Sequence, residues 1–185
     1  MKKLLRILAA ACLLAGATAT AAAEEPLPTL GFGLRAEVPS SNSNGVGAPG
    51  TWLCVPIRLG AFRIEPEVGL SFSRSHLGTG TQVEARSIGA ALGAFYQFAR
   101  TAHSSAYLGG RLGLSRTSES SWSSVSATRA ASAAAVAGVE FFPSPSVSLG
   151  AEGQARLGES SNDKANSWLL ARELVGAIAV RFYVR

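Results

Sequence analysis

Residues 63–74 read RIEPEVGLSFSR, and apolar and polar side chains alternate along this stretch. One parity carries only apolar side chains, those of Ile64, Pro66, Val68, Leu70 and Phe72. The other parity begins with charged residues and continues with Gly and Ser. A period of two residues is typical of a β-strand with one apolar face. The stretch therefore predicts a strand whose two faces meet different surroundings.

The same alternation recurs along the rest of the chain, where we find no convincing helical period beyond the N-terminal segment. The predicted strands lie within residues 30–38, 53–59, 63–74, 88–98, 105–115, 131–141, 146–157 and 174–184. This pattern predicts an all-β fold with eight strands.

The connections between these strands alternate between long and short. They span residues 40–50, 60–62, 76–81, 101–104, 117–124, 143–145 and 159–167. Such alternation is typical of an antiparallel up-and-down transmembrane barrel with short periplasmic turns and longer external loops. Pro143 and Pro145 favour a turn, because proline cannot sit in a paired central strand. We expect no long extended β-ribbon in the loops.

The N-terminal segment has the composition of a cleaved signal peptide. Three basic residues precede an apolar run at residues 7–14, and small residues at 21–23 form an A-x-A-type cleavage site. The run is too short for a spanning helix, which needs about 20 apolar residues. We predict a signal peptide at residues 1–23 and one barrel domain at residues 24–185. Removal of the signal peptide lowers the net charge from +5 to +2, because this segment holds three basic and no acidic residues. We expect no nucleic-acid partner for the barrel domain.

The apolar strand faces point either outward to lipid or inward to a ligand, as in a soluble lipocalin-like barrel. A soluble exterior is usually rich in charge, whereas Lys164 is the one lysine of the predicted barrel domain. The apolar faces are also about ten residues long, as tilted transmembrane strands are. Aromatic residues beside the short turns and the C-terminus suggest an interfacial girdle: Phe62, Tyr96, Phe98, Phe141, Phe142 and Phe182. We predict a membrane barrel, with a periplasmic binding barrel as an alternative.

With these features the chain resembles the small eight-stranded outer-membrane barrels of the OmpA transmembrane-domain and OmpX/Ail type. The resemblance rests on strand count, loop alternation and the last strand, residues 174–184, whose alternate apolar residues lead to Phe182. It implies an eight-stranded antiparallel up-and-down transmembrane β-barrel in the outer membrane of a Gram-negative-type cell. We expect a monomer.

The polar faces of the strands carry charges of both signs. We call this set the lumen charge network: Arg35, Glu37, Arg58, Glu65, Glu67, Arg111, Glu140, Glu152, Arg156, Glu173 and Arg181. An eight-stranded barrel has an interior just wide enough for side chains, so these charges should pair. We favour a plugged, structural lumen over a gated narrow pore.

A lipid-modifying enzyme, such as a deacylase or acyltransferase, is the alternative function in a different class. It would need a nucleophilic serine within reach of a histidine base. His76 and His103 both have serines nearby, but serine is common throughout this chain. We expect no catalytic residues, no metal site and no cofactor, and a structural or surface-interaction role.

Five arginines break the apolar parity near the long connections. We call them the arginine collar: Arg74, Arg86, Arg116, Arg129 and Arg172. Parity places each of them on the lipid-facing side, about 30 Å above the periplasmic end and just beyond an apolar band of about 25 Å. They either anchor the barrel by snorkelling or bind outer-membrane lipid, with lipopolysaccharide phosphates as the expected partner.

Overall fold

The computed structural model describes five ranges of the chain: residues 30–38, 50–76, 82–121, 124–162 and 168–184. Their strands, in chain order, are β1 Leu30–Val38, β2 Thr51–Cys54, β3 Ile57–Leu59, β4 Phe62–His76, β5 Gln82–Arg100, β6 Ser104–Ser121, β7 Ser124–Ser144, β8 Val147–Asn162 and β9 Trp168–Val184. No helix within these ranges is long and apolar enough to span a membrane. The predicted signal peptide, residues 1–23, lies outside the described residues.

The sheet closes into a barrel because its first and last strands pair. β1 runs antiparallel to β9, from Leu30 opposite Val184 to Val38 opposite Gly176. From β3 to β9 each strand pairs with the next along the chain, and β2 and β3 share one position between β1 and β4. The described barrel therefore has eight strand positions, which confirms the predicted fold class.

Pro56 separates β2 from β3 without opening the wall. Proline has no N–H to donate to a neighbouring strand. Its carbonyl oxygen still accepts a hydrogen bond from Gly31 N at 2.9 Å, and Val55 N donates to Pro66 O at 3.0 Å. The buried side chains keep alternating through the break, at Trp52, Cys54, Pro56 and Arg58. β2 and β3 thus act as one interrupted strand.

Three short turns lie at one end of the barrel, which we call the short-turn end. They are Gly60–Ala61, residues 101–103 and Pro145–Ser146. Gly60 has a φ of 63°, as the first position of a type II′ hairpin turn requires. The third turn begins later than predicted, because β7 continues to Ser144 beyond an irregularity in its pairing with β8.

The opposite end, the long-loop end, carries more paired strand than predicted. β6 and β7 stay paired up to Ser121 opposite Ser124, so most of the expected 117–124 loop is strand. Five residue pairs lie beyond the pair formed by Arg116 and Arg129. The two strands therefore continue as a paired ribbon further than the sequence predicted. Ser and Thr dominate both faces of this extension, so its sequence carries no alternation between apolar and polar residues.

The exterior of the described barrel is apolar. Leu70, Leu112 and Ile178 are 57%, 66% and 61% exposed, although they lie in long, fully paired strands. No outward position of the described strands carries a charge between the short-turn end and the level of the collar. This belt covers about ten residues per strand, or roughly 25 Å at a tilt near 40°. It has the height and the chemistry of a lipid-facing surface.

Two residues depart from the predicted faces, for different reasons. Phe142 was expected in the aromatic girdle but is 8% exposed, with its ring 6.2 Å from that of buried Tyr183. Phe142 nevertheless follows the alternation of β7, since Glu140 and Phe142 are buried and Phe141 is exposed. Ala106, assigned to the outer face, is 5% exposed and lies opposite Ala99, where β5 has its own irregularity. The other predicted girdle aromatics are exposed: Phe62, Tyr96, Phe98, Phe141 and Phe182.

Candidate functional site

The interior of the barrel holds most of the charged side chains that the structure describes. All eleven predicted members of the lumen charge network lie on the inward face, and Arg63 joins them as a twelfth. Arg63 is 0% exposed. The sequence analysis missed it, although it shares the parity of Glu65 and Glu67. With it, six arginines balance six glutamates.

Glu140 organises the network near the short-turn end. Its Oε2 accepts hydrogen bonds from Arg58 at 2.8 Å and from Arg63 at 2.9 Å. Its Oε1 accepts from Ser148 Oγ at 2.5 Å and from Tyr183 Oη at 2.8 Å. The four donors come from β3, β4, β8 and β9, so this single carboxylate ties together strands from around the barrel wall.

Aromatic rings stack on the two arginines that bind Glu140. The guanidinium of Arg58 lies 4.9 Å from the ring centre of Phe142 and 4.3 Å from that of Tyr183. The guanidinium of Arg63 lies 4.8 Å from Phe95 and 4.3 Å from Tyr107. These contacts attract the cations to the ring faces. The predicted lumen charge network contained only Arg and Glu, so Phe95 and Tyr183 were not part of it.

Arg181 holds the middle of the network. Its Nε and Nη2 donate to the two oxygens of Glu65 at 3.0 and 2.9 Å, which is a bidentate contact. Nη2 also donates to Glu152 at 3.0 Å. Glu152 accepts further bonds from Tyr107 Oη at 2.9 Å and from Arg111 at 3.1 Å. Arg181, Glu65 and Tyr107 are 0% exposed, so this part of the lumen is closed to solvent.

The network continues toward the long-loop end through Glu67 and Glu37. Glu67 accepts from Arg35 at 2.6 Å and from Arg111 at 2.8 Å. Glu37 accepts from Arg35 at 2.8 Å and from Arg156 at 2.5 Å. The interactions join eleven residues into one chain of alternating charge: Arg156, Glu37, Arg35, Glu67, Arg111, Glu152, Arg181, Glu65, Arg63, Glu140 and Arg58. Glu173 adds to its upper end, 3.9 Å from Arg156.

A small cleft of about 20 Å³ lies above the network on the long-loop side of Arg111. Small inward residues of β5, β6 and β7 leave this space, among them Ala91, Gly113 and Ser132. Trp52 and the charged ends of Glu37, Arg111 and Arg156 line the rest. The lumen is thus indented from one end.

The collar arginines that the structure describes point outward. Arg74, Arg86, Arg116 and Arg129 are exposed and share the parity of the apolar belt. Arg172 lies opposite Leu157 in the register, and its side chain is outside the described residues.

Glu84 is a collar residue that the sequence analysis missed. It lies opposite Arg74 on β5 and accepts its hydrogen bond at 2.5 Å. Arg86 lies 3.7 Å from the other oxygen of the same carboxylate. The guanidinium groups of both arginines also lie within 6 Å of the ring of Phe72, at 5.9 and 5.7 Å. One carboxylate and one ring therefore support the β4–β5 side of the collar.

The described histidine has no catalytic arrangement around it. His103 lies exposed in the turn between β5 and β6, where its backbone contacts Thr101 and Phe142. Ser104 Oγ lies 2.8 Å from Thr101 Oγ1, and the structure gives no hydrogen bond between a serine and His103. The side chain of His76 is outside the described residues. Within the described part of the chain no group of three or more His, Cys, Asp or Glu residues could hold a metal ion.

No protein-family model matches the chain, and no curated protein matches its sequence. Its fold is similar to crystal structures of outer-membrane proteins. Neisserial surface protein A (NspA) superposes with a TM-score of 0.55 at 21% identity, over 84% of this chain and 96% of that one. Ail, the attachment invasion locus protein of Yersinia pestis, gives 0.45 at 15% identity over 83% and 93%. A major outer membrane protein from Thermus thermophilus gives 0.45 at 12% identity over 84% and 99%.

The likeness to NspA agrees with the strand pairing and confirms the fold that the resemblance implied. A closed antiparallel barrel with an apolar belt outside and charged groups inside spans a membrane, and barrels of this type are those of outer membranes. This chain therefore has the fold of the small eight-stranded transmembrane β-barrels of outer membranes.

Proposed function

We propose that this chain is a non-catalytic outer-membrane protein with a closed lumen and a structural or surface-interaction role. The observation that carries the proposal is the continuous chain of ion pairs from Arg58, beside the short-turn end, to Glu173, toward the long-loop end. A channel needs a path of mobile water, whereas these side chains fill the space that eight strands leave.

A gated pore is the less favoured alternative. Opening such a pore would require several ion pairs in the buried middle to separate together. Glu65 and Glu152 both bind Arg181, and each also contacts a second arginine. Breaking a buried pair leaves an uncompensated charge, which costs about 3–5 kcal/mol per pair. The multiplicity of partners therefore supports a permanently plugged lumen.

The purified barrel should show negligible steady conductance in a planar bilayer, because the lumen charge network leaves no water-filled path. Single-channel recording measures this directly. Insertion is verified on the same sample by gel mobility, since a folded barrel migrates differently when it is not boiled. Large, stable and reproducible channels from the folded protein would contradict the plugged lumen.

The lipid-modifying enzyme is not favoured by the contacts of the described residues. Ser104, the serine next to His103, is bonded to Thr101 instead. The inward serines that are buried include Ser148, which donates to Glu140 within the network. Neither arrangement offers a serine activated by a histidine base. A variant with His76 and His103 replaced and unchanged membrane lipids would agree with the non-catalytic role.

We assign the collar a role in contact with outer-leaflet lipid, with lipopolysaccharide as the partner. Four of its five arginines are exposed and outward, directly beyond the apolar belt. This level coincides with the phosphates of the lipid head groups. Arginine suits this contact, because its planar fork binds phosphate oxygens in pairs.

Replacing all five collar arginines with glutamine should leave the barrel folded and weaken its co-purification with lipopolysaccharide. Each change leaves a shorter, uncharged polar side chain and removes a positive charge that faces the head groups. The measurement is lipopolysaccharide per mole of folded barrel after detergent extraction. Arg100→Gln, which removes a positive charge at the short-turn end, is the control and should retain the lipid. Unchanged retention in the fivefold variant would reduce the collar to a vertical anchor.

A further inference from the structure

Two arginines of the collar face each other directly across a pair of strands. Arg116 on β6 lies opposite Arg129 on β7, and both side chains are exposed on the outer surface. Directly opposed side chains in an antiparallel pair have Cβ atoms about 4.5–5.5 Å apart. Like charges at that position destabilise the sheet. The barrel therefore maintains a repulsive pair at this place.

No carboxylate of the described residues neutralises this pair. Glu159 occupies the diagonal outward position on β8, opposite Ala131, and forms no ion pair with Arg129. Glu119 lies on the other face of β6, since it is three residues from Arg116. On β4 and β5, by contrast, a carboxylate lies beside the collar arginines. Glu84 binds Arg74 at 2.5 Å and lies 3.7 Å from Arg86. The two sides of the collar thus differ in charge.

The position of the pair decides which anion could neutralise it. The outward residues on its short-turn side are apolar on both strands, Leu112 and Leu114 on β6 and Ala131 and Ala133 on β7. Arg116 lies twelve residues after the first residue of β6. At about 3.3 Å per residue and a tilt near 40°, that is roughly 30 Å, just beyond an apolar band of about 25 Å. The two guanidinium groups therefore stand at the level of the lipid phosphates.

We propose that Arg116 and Arg129 form a clamp for one phosphate group of an outer-leaflet lipid. A phosphate monoester carries up to two negative charges and three acceptor oxygens. Each guanidinium can donate two parallel hydrogen bonds to such oxygens, so one phosphate neutralises both cations at once. The proposal rests on the lipid-contact role of the collar. It adds that the β6–β7 side binds the phosphate, while Glu84 already neutralises the β4–β5 side.

The test compares two double variants that each remove two outward arginines from one strand pair. Arg116→Gln/Arg129→Gln should lower the lipopolysaccharide retained per folded barrel by about tenfold, as expected for the loss of charge-assisted hydrogen bonds. Arg74→Gln/Arg86→Gln should lower it by about twofold at most, because Glu84 competes there for the same arginines. Arg116→Lys/Arg129→Lys keeps the charge without the planar fork and should give an intermediate loss.

The source of the phosphate is tested in vesicles of phosphatidylcholine that contain intact or dephosphorylated lipopolysaccharide. The wild-type barrel should gain thermal stability from the intact lipid and lose that gain with the dephosphorylated lipid. Arg116→Gln/Arg129→Gln should gain nothing from either. In phosphatidylcholine alone this variant should be as stable as the wild type or more so, because it removes a repulsion. Equal protection of the wild type by inorganic phosphate would show that a free anion, and not lipid, fills the clamp.

Failure of the clamp can be distinguished from failure of the lipid-contact role. Equal loss of retention in both double variants, or equal stabilisation by intact and dephosphorylated lipid, would overturn the clamp while the fivefold variant still loses lipid. If the fivefold variant also retains its lipopolysaccharide, this result would contradict the proposed lipid-contact role of the collar as well.

Discussion

Replacing Arg181 with methionine should lower the free energy of unfolding of the barrel by about 3–5 kcal/mol. Methionine keeps much of the volume but removes three hydrogen bonds, two to Glu65 and one to Glu152. Both carboxylates remain in an interior that is closed to water, so the loss includes the cost of uncompensated buried charge. Equilibrium unfolding with denaturant in lipid vesicles measures the change.

A matched variant shows how much of the lost stability comes from the buried position of Arg181 and how much comes from losing any arginine. Arg86→Met removes the same group from an outward position where the side chain is 74% exposed and 3.7 Å from its carboxylate. Its expected cost is below about 1 kcal/mol, as for other exposed ion pairs. The double variant Arg181→Met/Glu65→Gln should cost less than the sum of its single changes, because the two residues share one interaction. Additive costs, or equal costs for Arg181→Met and Arg86→Met, would contradict a coupled interior.

The alternation of residues was enough to predict the barrel and the direction of most side chains. In RIEPEVGLSFSR each apolar residue is exposed on the outside, whereas Glu65 and Glu67 are buried inside. Outward side chains face lipid and are apolar, whereas inward side chains face the filled lumen and are polar. Successive residues of a strand alternate between the two faces, so the sequence has a period of two. The same period assigned the collar arginines to the outer face. It also contained Arg63, which the sequence analysis overlooked.

The alternation fails where the two faces stop differing or the pairing becomes irregular. The extension of β6 and β7 beyond Arg116 and Arg129 has Ser and Thr at both parities, so its sequence has no period of two. The predicted loop at 117–124 was wrong for that reason. Phe142 follows the alternation of β7, since Glu140 and Phe142 are buried and Phe141 is exposed, so parity itself excluded it from the outward girdle. Ala106 does break the alternation, and it lies opposite Ala99, where the pairing of β5 with β6 is irregular.

Which charges meet inside the barrel could not be read from the sequence. Arg181 and Glu65 are 116 residues apart and lie on strands that are not neighbours in the sheet. Their contact depends on the tilt of the strands and on the register of every pair between them. The same holds for Arg116 opposite Arg129, since a shift of register would separate them. Composition predicted that the interior charges pair, and the fold decides with which partner.

Replacing Gly109 with alanine should destabilise the barrel by about 3 kcal/mol or more, at the upper end of overpacking effects. Gly109 lies opposite Phe95, whose ring packs against this inward position. A Cβ at residue 109 would meet the carbonyl oxygen of Ala94 and would lie 2.7 Å from Phe95 Cα. Backbone atoms held in the sheet cannot yield as a flexible side chain would. The strands would have to move apart at the aromatic layer that stacks on Arg63.

The adjacent glycine provides the control for this substitution. Gly110 faces outward, and a Cβ there would come no closer than 3.5 Å to its nearest neighbour, the carbonyl oxygen of Ala134. Gly110→Ala should therefore change the free energy of unfolding by less than about 1 kcal/mol, and restriction of the unfolded chain favours a small gain. Unheated gel mobility gives the folded fraction of each variant, and denaturant unfolding gives the energy. If Gly109→Ala unfolds at the same denaturant concentration as Gly110→Ala, then the barrel wall is more compliant than the close packing of Phe95 on Gly109 implies.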